Sequence, residues 1–120
     1  MLGGEPLFAC RYHMAPGHWQ IIQHGGGLPR EGRVEPLPWR DAPGEAVDLA
    51  LRASRLMGNG LYGVDIKQRG DRFFVIEVND NPDLDADHEA SSPSDRVWQR
   101  LAEWFMARIR AQTPNLRSAA

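Results

Sequence analysis

Residues 61–68 and 72–79 are two largely apolar runs separated only by Arg69-Gly70-Asp71, and that spacing constrains the chain to a β-hairpin. A three-residue connection containing glycine suits a tight turn and is far too short for the crossover that parallel strands need. Period-two alternation then assigns the side chains. In the first run Tyr62, Val64 and Ile66 share one face, and Asp65 and Lys67 take the other. In the second, Phe74, Ile76 and Val78 fall together, with Phe73, Val75, Glu77 and Asn79 opposite.

Helical patterns flank the hairpin. Val47, Ala50, Leu51 and Ser54 recur at helical spacing within residues 43–57, after a candidate N-cap at Asp41 and with Pro43 in the first turn. Gly58-Asn59-Gly60 ends that helix, because both residue types accept the left-handed conformation of a C-terminal cap. A second helix is predicted over 93–110, opened by Ser92 and Pro93, with Trp98, Leu101, Ala102, Phe105 and Ile109 as its apolar stripe. Upstream, residues 7–14 and 18–24 read as a hairpin about Pro16-Gly17, and 33–39 as a short edge strand limited by Pro36 and Pro38. Gly25-Gly26-Gly27 reads as a flexible connection. The expected fold is α+β, an antiparallel sheet of four to five strands with both helices packed on one face. Residues 1–112 form the domain, and 113–120 a frayed tail beyond Pro114.

Composition excludes several classes of function. The chain has 120 residues and a formal net charge of −2, so no nucleic-acid partner follows from its charge. The single cysteine, Cys10, forbids an internal disulfide framework, and no apolar run is long enough for a membrane span. With no signal-peptide pattern at residues 1–6, a cytoplasmic setting is expected. Thirteen of the 14 basic residues are Arg, which leaves Lys67 as the single lysine. Seven acidic residues, from Glu77 to Asp95, fall in a stretch without Lys or Arg, whose ordinary reading is a solvated loop.

Asp65, Glu77 and Asn79 are the strongest chemical constellation. Two carboxylates and an amide oxygen from neighbouring strands make an oxygen-only donor set, which suits Mg²⁺ or Mn²⁺ and not Zn²⁺. Mg²⁺ takes few protein ligands when phosphates and water complete its shell, so three suffice if a triphosphate is present. The alternative is three ordinary exposed strand residues, although charged and amide side chains favour strands poorly.

Gly63-Val64-Asp65-Ile66-Lys67, followed by Phe74-Val75-Ile76-Glu77-Val78-Asn79-Asp80-Asn81-Pro82, resembles the C-terminal metal-binding signature of ATP-grasp ligases. The likeness is to the RimK-like group, related to bacterial glutamate ligases and glutathione synthetases. Residues 6–12 and 17–22 share it, so it extends over roughly residues 5–110. The resemblance implies ATP-dependent joining of a carboxylate to an amine through an acyl phosphate. It implies Mg²⁺ or Mn²⁺ and ATP as cofactors, with Asp65, Glu77 and Asn79 as metal ligands. Asn81 and Pro82 match the loop on the acceptor side. Arg11 stands on a strand that carries a phosphate-contacting basic residue in relatives, or is a surface arginine. Lys67 contacts phosphate or pairs with Glu77. Asp83-Leu84-Asp85 departs from the Gly-rich sequence of many relatives.

A larger departure concerns the nucleotide lobe. In the family an earlier lobe supplies lysines for the phosphates, and with Lys67 alone this chain has none to spare. The glycine triplet is not a P-loop, since no Lys-Ser or Lys-Thr follows it. The expectation is therefore the C-terminal metal- and ATP-binding part of a carboxylate–amine ligase, inactive by itself, with a homodimer or a separate N-terminal lobe covering its open face. The alternative is a non-catalytic remnant that binds a divalent metal or a protein partner. An EF-hand counted from Asp83 fails, with His88 where Gly is needed and Ser94 where Glu is needed. His13, His18, His24 and His88 lack zinc-like spacing, and Cys10 with His13 is not a nucleophile pair.

Overall fold

The computed structural model describes residues 1–13, 22–23, 30–31, 33–84 and 96–112. The Pro16-Gly17 turn, the glycine triplet, the Ser92 cap, most of the acidic stretch and the 113–120 tail lie outside the described residues. Elements follow in the order β1 (Ala9–His13), β2 (Ile22–Gln23), β3 (Arg30–Glu31), β4 (Arg33–Leu37), a 3-10 turn (Trp39–Asp41), α1 (Gly44–Met57), β5 (Gly63–Arg69), β6 (Arg72–Asn79) and α2 (Arg96–Gln112). The class is α+β.

The strands pair differently from the sequence expectation. Among the described residues they form three two-stranded antiparallel sheets, β1–β4, β2–β3 and β5–β6, and the single sheet of four to five strands is not found. Among the described residues the first run pairs with β4, with Arg11 opposite Glu35, and residues 22–23 of the following run pair with β3; the rest of that following run lies outside the described residues. Cross-strand charge favours this choice: Glu35 Oε2 lies 4.0 Å from Arg11 Nη1 and 3.0 Å from His13 Nε2. Pro36 sits in β4 opposite Cys10, and having no N–H it suits a strand at an edge.

α1 begins one residue after Pro43, which occupies the N-cap position with no side-chain cap; Asp41 belongs to the preceding 3-10 turn. It packs on β5 and β6, burying Ala50 and Ser54, one turn apart. The Ser54 hydroxyl donates to the Leu51 carbonyl at 3.1 Å, which satisfies the buried polar group. Leu56 is 89% exposed and does not join the apolar stripe. Gly58 closes the helix at φ 114°.

α2 docks elsewhere, so the two helices do not share one sheet face. Val97 is buried with Leu2 and Leu7, and Leu101, Trp104, Phe8 and Leu61 pack around them. Arg100 ties the contact together: Nη1 donates to the Pro6 carbonyl at 2.9 Å and Nη2 to Glu5 Oε2 at 3.1 Å. Arg108 donates to the Asn59 carbonyl at 2.9 Å and lies over the Trp104 ring. Gly3 has φ 60°, and a Cβ there would stand 2.6 Å from Trp104 Nε1. Gly3→Ala combines a left-handed backbone with a clash and is expected to destabilise by about 2 kcal/mol or more, read as a lower denaturant midpoint at unchanged slope.

The N-terminal segment joins this core to the hairpin. The Met1 amine donates to the Tyr62 carbonyl at 2.9 Å, Tyr62 N–H donates to the Met1 carbonyl, and Gly3 N–H to Gly60. Burial, reinforced by the positive charge of Arg100, lowers the pKa of that amine from 8.0 to about 6. Between those values the unfolded chain holds more protons than the folded one, so stability rises with pH across this window. The gain is complete above the unfolded value and is lost as pH falls through the folded value. Its upper bound is about 2–3 kcal/mol. Thermal melts at pH 6 and pH 8 are expected to differ accordingly, and blocking the amine should remove that part of the difference.

Candidate metal centre on the hairpin

β5 and β6 meet at a two-residue turn, with Arg69 opposite Arg72 and Gly70 at φ 59° in the first turn position. That is the position where a II′-type hairpin turn requires positive φ. From there the ladder pairs Gln68 with Phe73, Lys67 with Phe74, and Ile66 with Val75. The register then shifts between Asp65 and Ile66: Asp65 faces Glu77, and Ile76 is left as the extra residue of a β-bulge. Val64–Val78 and Gly63–Asn79 follow in the new register.

This bulge corrects the facing expected for β6. Strict alternation groups Glu77 with Phe73 and Val75, and Val78 with Phe74 and Ile76. Instead Phe73, Val75 and Val78 are partly buried, like Val64 and Ile66, whereas Phe74, Ile76, Glu77 and Asn79 are exposed, like Asp65 and Lys67. Without the register shift the turn register would continue with Asp65 opposite Ile76 and Glu77 opposite Val64, placing Glu77 on the α1 side. The bulge returns Glu77 to the face of Asp65. Directly opposed residues on one face have Cβ atoms about 4.5–5.5 Å apart, close enough for two carboxylates to share one cation.

Asn79 lies on the same face, opposite Gly63 and next to the Asp65–Glu77 pair. Its Oδ1 accepts a 2.8 Å hydrogen bond from the Asn81 backbone N–H, which fixes the amide orientation and leaves the oxygen a second lone pair. No group of three or more His, Cys, Asp or Glu side chains poised to hold a metal occurs among the described residues. A cation on this face would therefore rest on two carboxylates and an amide oxygen. That donor set fits a hard divalent ion whose remaining positions are filled by water and phosphate. Two carboxylates directly opposed across a ladder repel one another, so the pairing weakens the hairpin unless a positive charge offsets it.

The other expected site residues are distributed as follows. Lys67 shares the open face, one pair nearer the turn, opposite Phe74. Asn81 is exposed and Pro82 half-buried, in the loop directly after β6. Arg11 stands on the separate β1–β4 sheet, 4.0 Å from Glu35. Sequence reasoning missed two residues, Ile76 and Gly63. Counting pairs outward from the turn exposes the first, since it sets Asp65 against Ile76 unless a residue is skipped.

The chain matches the family model of the RimK-like ATP-grasp domain over residues 30–94, more than half of its length. The chain belongs to the RimK-like ATP-grasp family. The matched span holds α1, β5, β6 and the residues of the open face, and leaves Arg11 outside. Among curated proteins, a probable alpha-L-glutamate ligase of Alcanivorax borkumensis is 32% identical over 92 residues, 77% of this chain and 28% of that protein. Probable alpha-L-glutamate ligase 2 of Shewanella frigidimarina is 29% identical over 91 residues, 76% of this chain and 28% of its own length. A probable alpha-L-glutamate ligase of Maridesulfovibrio salexigens is 28% identical over 85 residues, 71% of this chain and 26% of its own. This RimK-like chain thus spans little more than a quarter of the curated relatives it matches. No solved structure matches it. No helix among its described residues is long and apolar enough to cross a membrane.

Proposed function

We propose that this chain supplies the metal-carrying strands of an ATP-dependent carboxylate–amine ligase. Asp65, Glu77 and Asn79 would hold Mg²⁺ or Mn²⁺ on the open face of the hairpin. One observation carries this reading: the register that sets Asp65 opposite Glu77, with Asn79 on the same face. Family membership supports ATP as the nucleotide, and the glutamate ligases among its relatives support a carboxylate and an amine as the substrates. A divalent ion bound here supplies positive charge against the phosphates of the nucleotide. The two carboxylates and the Asn79 oxygen would together hold that ion against the sheet, with the Asn81–Pro82 loop bordering it on the acceptor side. Lys67 is placed to touch phosphate or to pair with a carboxylate of the same face. Arg11 completes the phosphate contacts only if the β1–β4 sheet is drawn beside the hairpin, as in the four- to five-stranded sheet expected of the family.

A second reading, a non-catalytic module that binds a divalent ion or a protein partner, is favoured by the presence of one lysine in the whole chain. Ligation needs cationic groups on the transferring phosphate beyond those on the metal strands. In the ligase reading they come from another lobe that covers the open face. The pure chain with Mg²⁺ and ATP is therefore expected to release no phosphate above background. Addition of a chain carrying the complementary lobe separates the readings: turnover dependent on Glu77 supports the ligase, and complex formation without turnover supports the binding module. The cellular location that suits either is the cytoplasm, where ATP and Mg²⁺ are supplied.

A further inference from the structure

Gly63 is half-buried and directly opposes Asn79 in the ladder. Its φ is not in the left-handed region, so backbone conformation does not require a glycine there. Space does. A Cβ at Gly63 would lie 3.1 Å from Pro82 Cβ, 3.8 Å from Asn79 Cβ and 4.0 Å from Pro82 Cα. The chain leaving β6 thus folds back across the site face and seats Pro82 in the gap left by the missing side chain. Between strand and proline, Asn81 N–H bonds Asn79 Oδ1 at 2.8 Å. Pro82 also restricts the backbone of Asn81 to extended conformations, which narrows the range over which that N–H can point.

We propose that Gly63 is a positioning residue: by lacking a side chain it clasps Pro82 against β5, and the seated loop fixes the Asn79 carboxamide oxygen on the metal face. The inference rests on the metal reading only for the use to which that fixed oxygen is put. It runs against the usual effect of glycine in strands. At an open strand position Ala replaces Gly with a gain in order, because Gly weakens a strand. Here Ala pushes Pro82 outward by a few tenths of an ångström, and the Asn81–Asn79 bond lengthens with it. Gly63, having no side chain, acts only through Pro82 and Asn79.

The test is a double-substitution cycle on the full chain with Gly63→Ala, Pro82→Gly and both together, since glycine at 82 removes Pro82 Cβ, the one atom that the new Cβ would crowd. Two quantities are read. The first is hydrogen exchange and the temperature coefficient of the Asn81 amide proton by NMR, which needs no metal. The second is Mn²⁺ affinity by EPR of the free ion, with Glu77→Ala as the control. Gly63→Ala is expected to speed Asn81 exchange about two- to tenfold, the range of one exposed hydrogen bond, and to weaken Mn²⁺ binding by a similar factor. Pro82→Gly should do likewise, and adding Gly63→Ala to it should change neither quantity further. An Asn81 amide unmoved by Gly63→Ala, or an equal effect of Gly63→Ala in both backgrounds, overturns the clasp. Loosening of Asn81 with Mn²⁺ affinity unchanged, in a chain whose binding Glu77→Ala abolishes, overturns its link to the metal. If the unaltered chain binds Mn²⁺ no better than Glu77→Ala, the metal reading fails, and the NMR cycle still decides the clasp.

Discussion

Inserting one residue between Asp65 and Ile66 is expected to abolish divalent-cation binding, whereas deleting Ile76 should leave it within a factor of about three. Both changes remove the bulge by equalising the two strands, yet they have opposite effects on facing. With Ile76 deleted, Val75 remains opposite Ile66 and Glu77 opposite Asp65, now in a regular ladder. Alternation then keeps Val75 and Val78 toward α1 and Glu77 and Asn79 toward the open face. With a residue inserted in β5, Ile76 gains a partner, and every pair beyond it changes face. Asp65 and Glu77 would turn toward α1, where two carboxylates without partners cannot be buried. The insertion is therefore expected to lower stability by several kcal/mol as well as to abolish binding. Melts with and without Mn²⁺ read both effects. An insertion variant that binds normally, or a deletion variant that does not bind, contradicts the facing deduced from the register.

Glu77→Gln should give a second large effect, with opposite signs for stability and binding. It removes the like-charge opposition with Asp65 while keeping the size and hydrogen-bonding capacity of the side chain. The metal-free chain is expected to become about 0.2–1 kcal/mol more stable, the range for a cross-strand pair. The same substitution deletes one of two anionic donors, so Mn²⁺ affinity should fall by about 100-fold or more. For the unaltered chain, Mn²⁺ at a hundred times its Kd adds about 2.7 kcal/mol to stability, and in Glu77→Gln at the same concentration nearly all of that is lost. The melting curves of the two chains should therefore cross as Mn²⁺ is added. Parallel curves at every concentration would show that the carboxylate pair is not a cation site.

The hairpin and α1 were legible because their signals are local. The separation of the two apolar runs fixes antiparallel pairing, and Gly58 ends α1 where the periodicity ends. The partner of β1 was not legible, because Glu35 is 24 residues beyond Arg11 and no spacing rule selects it over the nearer run at residues 18–24. Nor was the docking of α2, since the apolar stripe of a helix announces burial but not against what; Leu2 and Leu7 lie some ninety residues from Val97. On the hairpin, residue chemistry named the right face for a reason that alternation alone does not give. Asp65 and Glu77 share a side only because Ile76 is skipped, and a β-bulge has no strong sequence signature. Gly63 was legible as part of a motif but not as a steric requirement, which needs the position of Pro82.

The most direct measurement is an EPR-monitored Mn²⁺ titration of four chains, unaltered, Asp65→Ala, Glu77→Ala and Asn79→Ala, with circular dichroism to establish that each retains its fold. One saturable site is expected in the unaltered chain, lost in Asp65→Ala and Glu77→Ala and weakened in Asn79→Ala. Equal affinities across the four folded chains would contradict the account.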